Sequence, residues 1–128
     1  VNCPARAAIR RNAIKGDEDV LIDHRTYLIK PGKAQAYIDL YKKYGNRAQV
    51  RHIGQPLAYM YSESGDLNTL VHIWVYKDAA DRAARRAAMQ ADPEWQEYVR
   101  QNVEAGYLIS QKTMLMLPAD LDQVLKPA

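Results

Sequence analysis

Apolar and polar positions alternate from Val20 to Ile29, as in a half-buried strand. Asp23, Arg25, Tyr27 and Ile29 fall on one side of it, and Ile22, His24, Thr26 and Leu28 on the other. Lys30-Pro31-Gly32 closes the strand, because proline cannot donate to a ladder and glycine supplies the turn. From Lys33 to about His52 the period changes. Ala34, Tyr37, Ile38, Tyr41, Tyr44 and Ala48 recur at three- and four-residue spacing and predict an amphipathic helix. Gly45 is expected to bend it and Gly54 to end it. A second strand is predicted over Leu57 to Glu63, with Leu57, Tyr59 and Tyr61 on one face. Ser64-Gly65-Asp66 then turns the chain into a third, Leu67 to Tyr76, antiparallel to the second.

In this third strand Leu67, Thr69, Val71, Ile73 and Val75 share a side that reads as the helix-packing face. Asn68, Leu70, His72, Trp74 and Tyr76 share the other, whose polar-tipped aromatics suit a cavity wall or a partner interface. Asp78 is the expected N-cap of a helix over Ala79 to Gln90, with Asp81 at the reciprocal capping position. Asp92-Pro93-Glu94 restarts the chain as a further helix that Gly106 ends. Tyr107 to Leu117 is the last strand, stopped by Pro118.

The order βαββαβ predicts an α+β, ferredoxin-like domain with a four-stranded antiparallel sheet. Both helical layers should lie on one face of it, with the first and third strands central. Residues 1–19 read as an N-terminal extension, 20–118 as the domain, and 119–128 as a C-terminal tail that adds at most one helical turn. The open sheet face is expected to be rich in Tyr, Trp and Met, more apolar than a monomer leaves wet. Pairing two such sheets face to face would bury it and would turn His72 and Trp74 into the barrel so formed.

Composition narrows the function. The 128 residues suffice for one domain with a modest core. There is no Phe, so nine Tyr and two Trp supply the bulk of that core, each with a tip that needs a hydrogen-bond partner when buried. A net charge of +3 is too small to indicate nucleic acid. The arginines at 82, 85 and 86 and at 6, 10 and 11 read first as solvated surface. No apolar run approaches a membrane span, and residues 1–19 lack the apolar segment of a secretory signal. The lone cysteine, Cys3, excludes an intrachain disulfide and fits a reducing cytoplasm.

Several short stretches, taken in order, resemble the NIPSNAP family. They are Arg25-Thr26-Tyr27, Lys30-Pro31-Gly32-Lys33, Glu63-Ser64-Gly65-Asp66-Leu67-Asn68 and His72-Ile73-Trp74-Val75-Tyr76. Asp81-Arg82, Arg85-Arg86 and Asp92-Pro93-Glu94-Trp95 complete the set, which covers about residues 20–118. The resemblance implies membership of the dimeric α/β-barrel group, in which ferredoxin-like subunits pair through their open sheet faces. It implies a homodimer, leaves assembly of dimers open, and names no reaction. His24 and the long N-terminal extension depart from the family pattern.

The leading functional expectation is a small aromatic or apolar ligand in a pocket between sheet and helices. Arg25, Tyr27, Asn68, His72 and Trp74 are its candidate lining. Arg25 offers a planar donor fork to an anion, and His72 titrates near neutrality when unperturbed. A lone strand histidine is more often structural than catalytic. His24, His52 and His72 lack metal-ligand spacing, so neither a zinc or iron site nor any cofactor is expected. The chain has no phosphate loop and no nucleophile elbow. Two alternatives stand beside this reading. One is a cofactor-independent or haem-associated oxygenase of the same barrel group, using Asn68, His72, Trp74 and Arg25 to orient substrate. The other is a non-catalytic interaction module acting through the Arg82-Arg85-Arg86 helix or the basic extension.

Overall fold

A computed structural model describes residues 19–119 and 125–128. The basic extension before residue 19, and residues 120–124 of the tail where one helical turn was allowed for, lie outside the described residues. Strand β1 (Leu21–Ile29) leads into helix α1 (Ala34–Leu40), a π-helical segment (Tyr41–Gly45) and helix α2 (Asn46–Ile53). Strands β2 (Ala58–Tyr61) and β3 (Thr69–Tyr76) follow, then helices α3 (Ala79–Ala91) and α4 (Pro93–Ala105) and strand β4 (Leu108–Met116). The sheet order is β2-β3-β1-β4, antiparallel throughout, so β1 and β3 are central. This is the expected ferredoxin-like arrangement. Among the described residues no helix is long and apolar enough to cross a membrane.

The local signals act as read, with small shifts of boundary. The Asp78 carboxylate accepts from the Asp81 N–H at 2.7 Å and caps α3. The reciprocal carboxylate of Asp81 accepts from Lys77 N–H at 3.0 Å, one residue before the expected donor. Asp92 caps α4 by accepting from Glu94 N–H, Pro93 stands in the first turn, and Gly106 ends the helix at φ 67°. Side chains also tie α2 to the start of α4: Arg51 donates to both Asp92 and Glu94, and His52 Nε2 lies 2.8 Å from Asp92.

Where a bend was expected at Gly45, the helix widens into a π turn that ends on this residue. Packing explains why the residue there is glycine. A Cβ at Gly45 would stand 2.8 Å from Cγ of Tyr98, whose ring is buried against this stretch. Replacing Gly45 by alanine gains about 1 kcal/mol of helix propensity. Overpacking a well-filled core costs about 1–3 kcal/mol, and a buried ring cannot swing aside. Gly45→Ala should therefore lower stability by up to about 2 kcal/mol. Urea denaturation reads this, and a variant more stable than the parent would show that Tyr98 can give way.

One expectation is reversed. Leu70, His72, Trp74 and Tyr76 face the helices, and Val71, Ile73 and Val75 lie on the open side. Trp74 and Tyr76 pack with Ile53 of α2 and Met89 of α3, while Leu70 packs with Ile29 and Tyr37 of α1. The open face instead carries Met60, Leu28, Met114 and Met116, all exposed, around His24, Thr26, Val71 and Ile73. The reason lies in what the helices bring. Tyr37, Tyr41 and Trp95 give aromatic contacts to the sheet, Tyr98 packs behind Tyr41 and Trp95, and Arg82 of α3 gives an ionic partner to Asp23. Polar-tipped rings are satisfied against such a layer; the aliphatic stripe is what remains for the other face.

Candidate functional site

The antiparallel register brings the site together. Arg25 lies opposite His72, Asp23 opposite Trp74, and Tyr27 opposite Leu70, so all of them share the helix side of the sheet. Tyr59 of β2 lies opposite His72 from the other flank. Four of the five candidate residues, Arg25, Tyr27, His72 and Trp74, thus meet in one layer between sheet and helices. Asn68 stands apart, in the turn before β3 at φ 61°, where its carbonyl accepts from the Ile29 N–H. That left-handed backbone suits asparagine better than most residues.

His72 is the centre of the layer and is 3 % exposed. The Tyr59 ring stacks on it at 4.7 Å between centroids, and the Tyr27 ring meets it edge-on at 4.6 Å. Trp74 Nε1 donates to His72 Nδ1 at 2.7 Å. Indole nitrogen is only a donor, so Nδ1 must be the acceptor and the ring proton must sit on Nε2. That Nε2–H is buried and has no partner among the described residues. Burial, aided by the Arg25 charge, lowers the imidazole pKa from 6.5 to about 3. At neutral pH His72 is therefore a neutral donor through Nε2, and its lone pair is already engaged.

This state makes stability depend on pH. The unfolded imidazole takes a proton near pH 6.5, whereas the folded one resists down to about pH 3. Between those values the unfolded state binds more protons, so stability falls with falling pH by about 1.4 kcal/mol per unit. Carboxylates held low by partners, such as Asp92 beside His52 and Glu94 beside Arg51, add their losses mainly below about pH 4.5. Between pH 6.5 and 5 the decline in urea stability should be steeper in the parent than in His72→Phe. Equal slopes would show that His72 carries no such shift.

Next to the histidine lies an ionic cluster. The Asp23 carboxylate is fully buried, and its Oδ2 takes Arg25 Nη1 at 3.3 Å and Arg82 Nε at 3.0 Å. Its other oxygen, Oδ1, has no donor among the described residues. Arg25 also donates from Nε to the Tyr27 hydroxyl at 3.0 Å, which leaves Nη2 for another acceptor. Burial opposes the Arg25 charge, but Tyr27 and Asp23 outweigh it and the pKa is raised. Around the cluster the phenols of Tyr59, Tyr41 and Tyr98 are all shifted upward by burial, and Tyr37 is pushed up to about 12 for the same reason. They are donors at neutral pH, not bases.

Two participants were not among the candidate residues. Tyr59 was read only as one of a strand's apolar positions; its place over His72 depends on the β2–β3 register, which a seven-residue connection leaves open. Arg82 was read as solvated surface. Capping by Asp78 sets the phase of α3, which turns Arg82 toward Asp23. Arg85 likewise turns inward and donates to Asp81 and to the Ile53 carbonyl.

Comparison with known proteins agrees with this architecture. The NIPSNAP family model matches residues 22–122. A NipSnap homolog of Dictyostelium discoideum is 35 % identical over 108 residues, covering 84 % of this chain and 46 % of its own length. NipSnap homolog 3A of Pongo abelii is 33 % identical over 82 residues, covering 62 % of this chain and 32 % of its own. The chain thus spans less than half the length of these curated relatives. Among solved structures, an uncharacterized NIPSNAP-like domain protein from Burkholderia xenovorans superposes with a TM-score of 0.78 at 34 % identity, covering 86 % of this chain and 94 % of that one. A putative antibiotic biosynthesis monooxygenase from Nitrosomonas europaea shares the fold alone, with a TM-score of 0.57 at 12 % identity, covering 84 % and 98 % of the two chains. On the family match and the agreement in fold, this chain belongs to the NIPSNAP family.

Proposed function

We propose that the chain is a binding protein for a small aromatic or apolar molecule, held between the sheet and the helices, and that it works as a homodimer. The observation that carries the binding reading is His72: a buried ring donor without a partner among the described residues, boxed by Tyr27, Tyr59 and Trp74. An unmade hydrogen bond in such a place costs about 1–3 kcal/mol. Such groups are few in native proteins, and a bound molecule is one way to satisfy them. The dimer reading is supported by Met60, Met114 and Met116, exposed on the uncovered sheet face, and by β4, which is exposed almost from end to end. A cytoplasmic setting accords with the lone Cys3.

Native mass spectrometry tests both parts at once. The expected species is twice the 14.6 kDa chain mass and carries a small molecule that is lost in Tyr59→Ala. Glutamate at Met60 and Met114 together should yield monomers. A parent that is monomeric at micromolar concentration, or that releases nothing and binds no member of an aromatic fragment set, would refute the corresponding part.

A further inference from the structure

The cluster beside His72 has an unequal charge balance. One carboxylate, Asp23, faces two guanidiniums, Arg25 and Arg82, while His72 is held neutral by the hydrogen bond from Trp74. The local sum is +1. A surplus cation is costly in a buried layer unless an anion or water answers it. Arg82 has about a quarter of its side chain in solvent, but Arg25 has only 12 %. The surplus is thus least hydrated at Arg25, the residue directly opposite His72 in the sheet. Among the described residues none accepts from Arg25 Nη2, and the buried His72 Nε2–H has no partner. Two unused donors therefore sit on neighbouring strands at one register position.

We propose that the ligand of this site carries a carboxylate, one oxygen of which accepts from His72 Nε2–H and the other from Arg25 Nη2. This inference rests on the binding reading above and narrows it to monoanions. The carboxylate brings the local charge to zero, satisfies the buried His72 donor and gives Arg25 Nη2 a charged acceptor. Charge-assisted bonds of this kind are about twice as strong as neutral ones. The Tyr27 and Tyr59 rings, which flank the imidazole, select a flat body behind the carboxylate. One atom argues the other way. Asp23 Oδ1 lacks a donor among the described residues, and an amide could offer one where a carboxylate cannot. The charge sum favours the acid over the amide, and the neutral isostere is therefore the right comparator.

Benzoate and benzamide are the probes, titrated into the full chain labelled with 15N. The readouts are the His72 ring N–H signal and calorimetry. Benzoate should bind saturably, shift that signal, and bind roughly 10- to 100-fold more tightly than benzamide, the range expected for a bond to a charged group. Arg25→Gln should remove that preference by weakening benzoate far more than benzamide. Arg82→Gln, with one cation still left for Asp23, should weaken benzoate through charge without displacing the His72 signal. Equal binding of the two probes would overturn the carboxylate inference and leave the small-molecule reading standing. No binding of either probe at millimolar concentration would overturn the inference too, while the aromatic fragment set judges the broader reading. Should Arg25→Gln fail to fold, the ratio of benzoate to benzamide affinity in the parent still decides.

Discussion

Asp23→Ala should cost the fold about 3–5 kcal/mol, the range for removing one partner from a buried ion pair. The residue is fully buried on a central strand, and its Oδ2 is shared by Arg25 and Arg82. Without it, two guanidiniums face each other across an apolar layer, and neither can reach water fully without leaving its packing. The cost is that of the unpaired charges and does not measure the strength of the pair. At 3.3 Å the Arg25 contact is long for a charged hydrogen bond. Replacing the whole triad (Asp23→Leu, Arg25→Met, Arg82→Met) should therefore cost less than the single change, because no charge is stranded. Urea denaturation of both proteins checks the order. A single variant within about 1 kcal/mol of the parent would mean that the two arginines find water or another acceptor.

Trp74→Ala should cost a similar 3–5 kcal/mol, by a different route. The indole is 1 % exposed and fills the space between β3, Ile53 and Met89, so its removal leaves a cavity that central elements cannot close. It also strips His72 Nδ1 of its donor. Trp74→Phe separates the two terms. It keeps most of the volume and loses the N–H, so about 1–3 kcal/mol is expected from the hydrogen bond. The imidazole would then be free to move its proton to Nδ1, which ring 15N shifts report. A phenylalanine variant as stable as the parent, with the proton still on Nε2, would show that Trp74 does not set the tautomer.

The two effects meet in one histidine. His72 was a candidate for proton transfer because its ordinary pKa lies near neutrality. Its neighbours take that role away: burial and Arg25 keep it neutral, and Trp74 occupies the lone pair a base would use. What remains is a fixed donor, a group for orienting a ligand or stabilising negative charge on it. That difference separates a binding reading from an acid–base one, and it became visible only when the indole was placed two residues along the same strand face.

Much of the fold was legible in the sequence. Period-two alternation, the change to three-and-four spacing, the caps at Asp78 and Asp92 and the stop at Gly106 are local signals, and each acts within a few residues of itself. Their order gave β2-β3-β1-β4 through general rules of connection. The members of the candidate site were also largely legible, because residues alternating on one strand share a face whatever that face packs against. Asn68 marks the limit of that argument, since the ladder begins only at Thr69 and the turn before it breaks the alternation.

By itself, then, the sequence determined the elements, their order, and the partition of each strand into two sides. Only the tertiary structure decided which side meets the helices, because alternation defines two faces without saying which is inside. It also decided that Arg82 and Tyr59 belong with His72, since those contacts depend on helix phase and strand register across long separations. At Gly45 it set a π turn where a bend was expected, packed against the buried ring of Tyr98. The aromatic face therefore looks into the molecule, toward Tyr37, Tyr98 and Arg82, and the methionine-bearing face looks out.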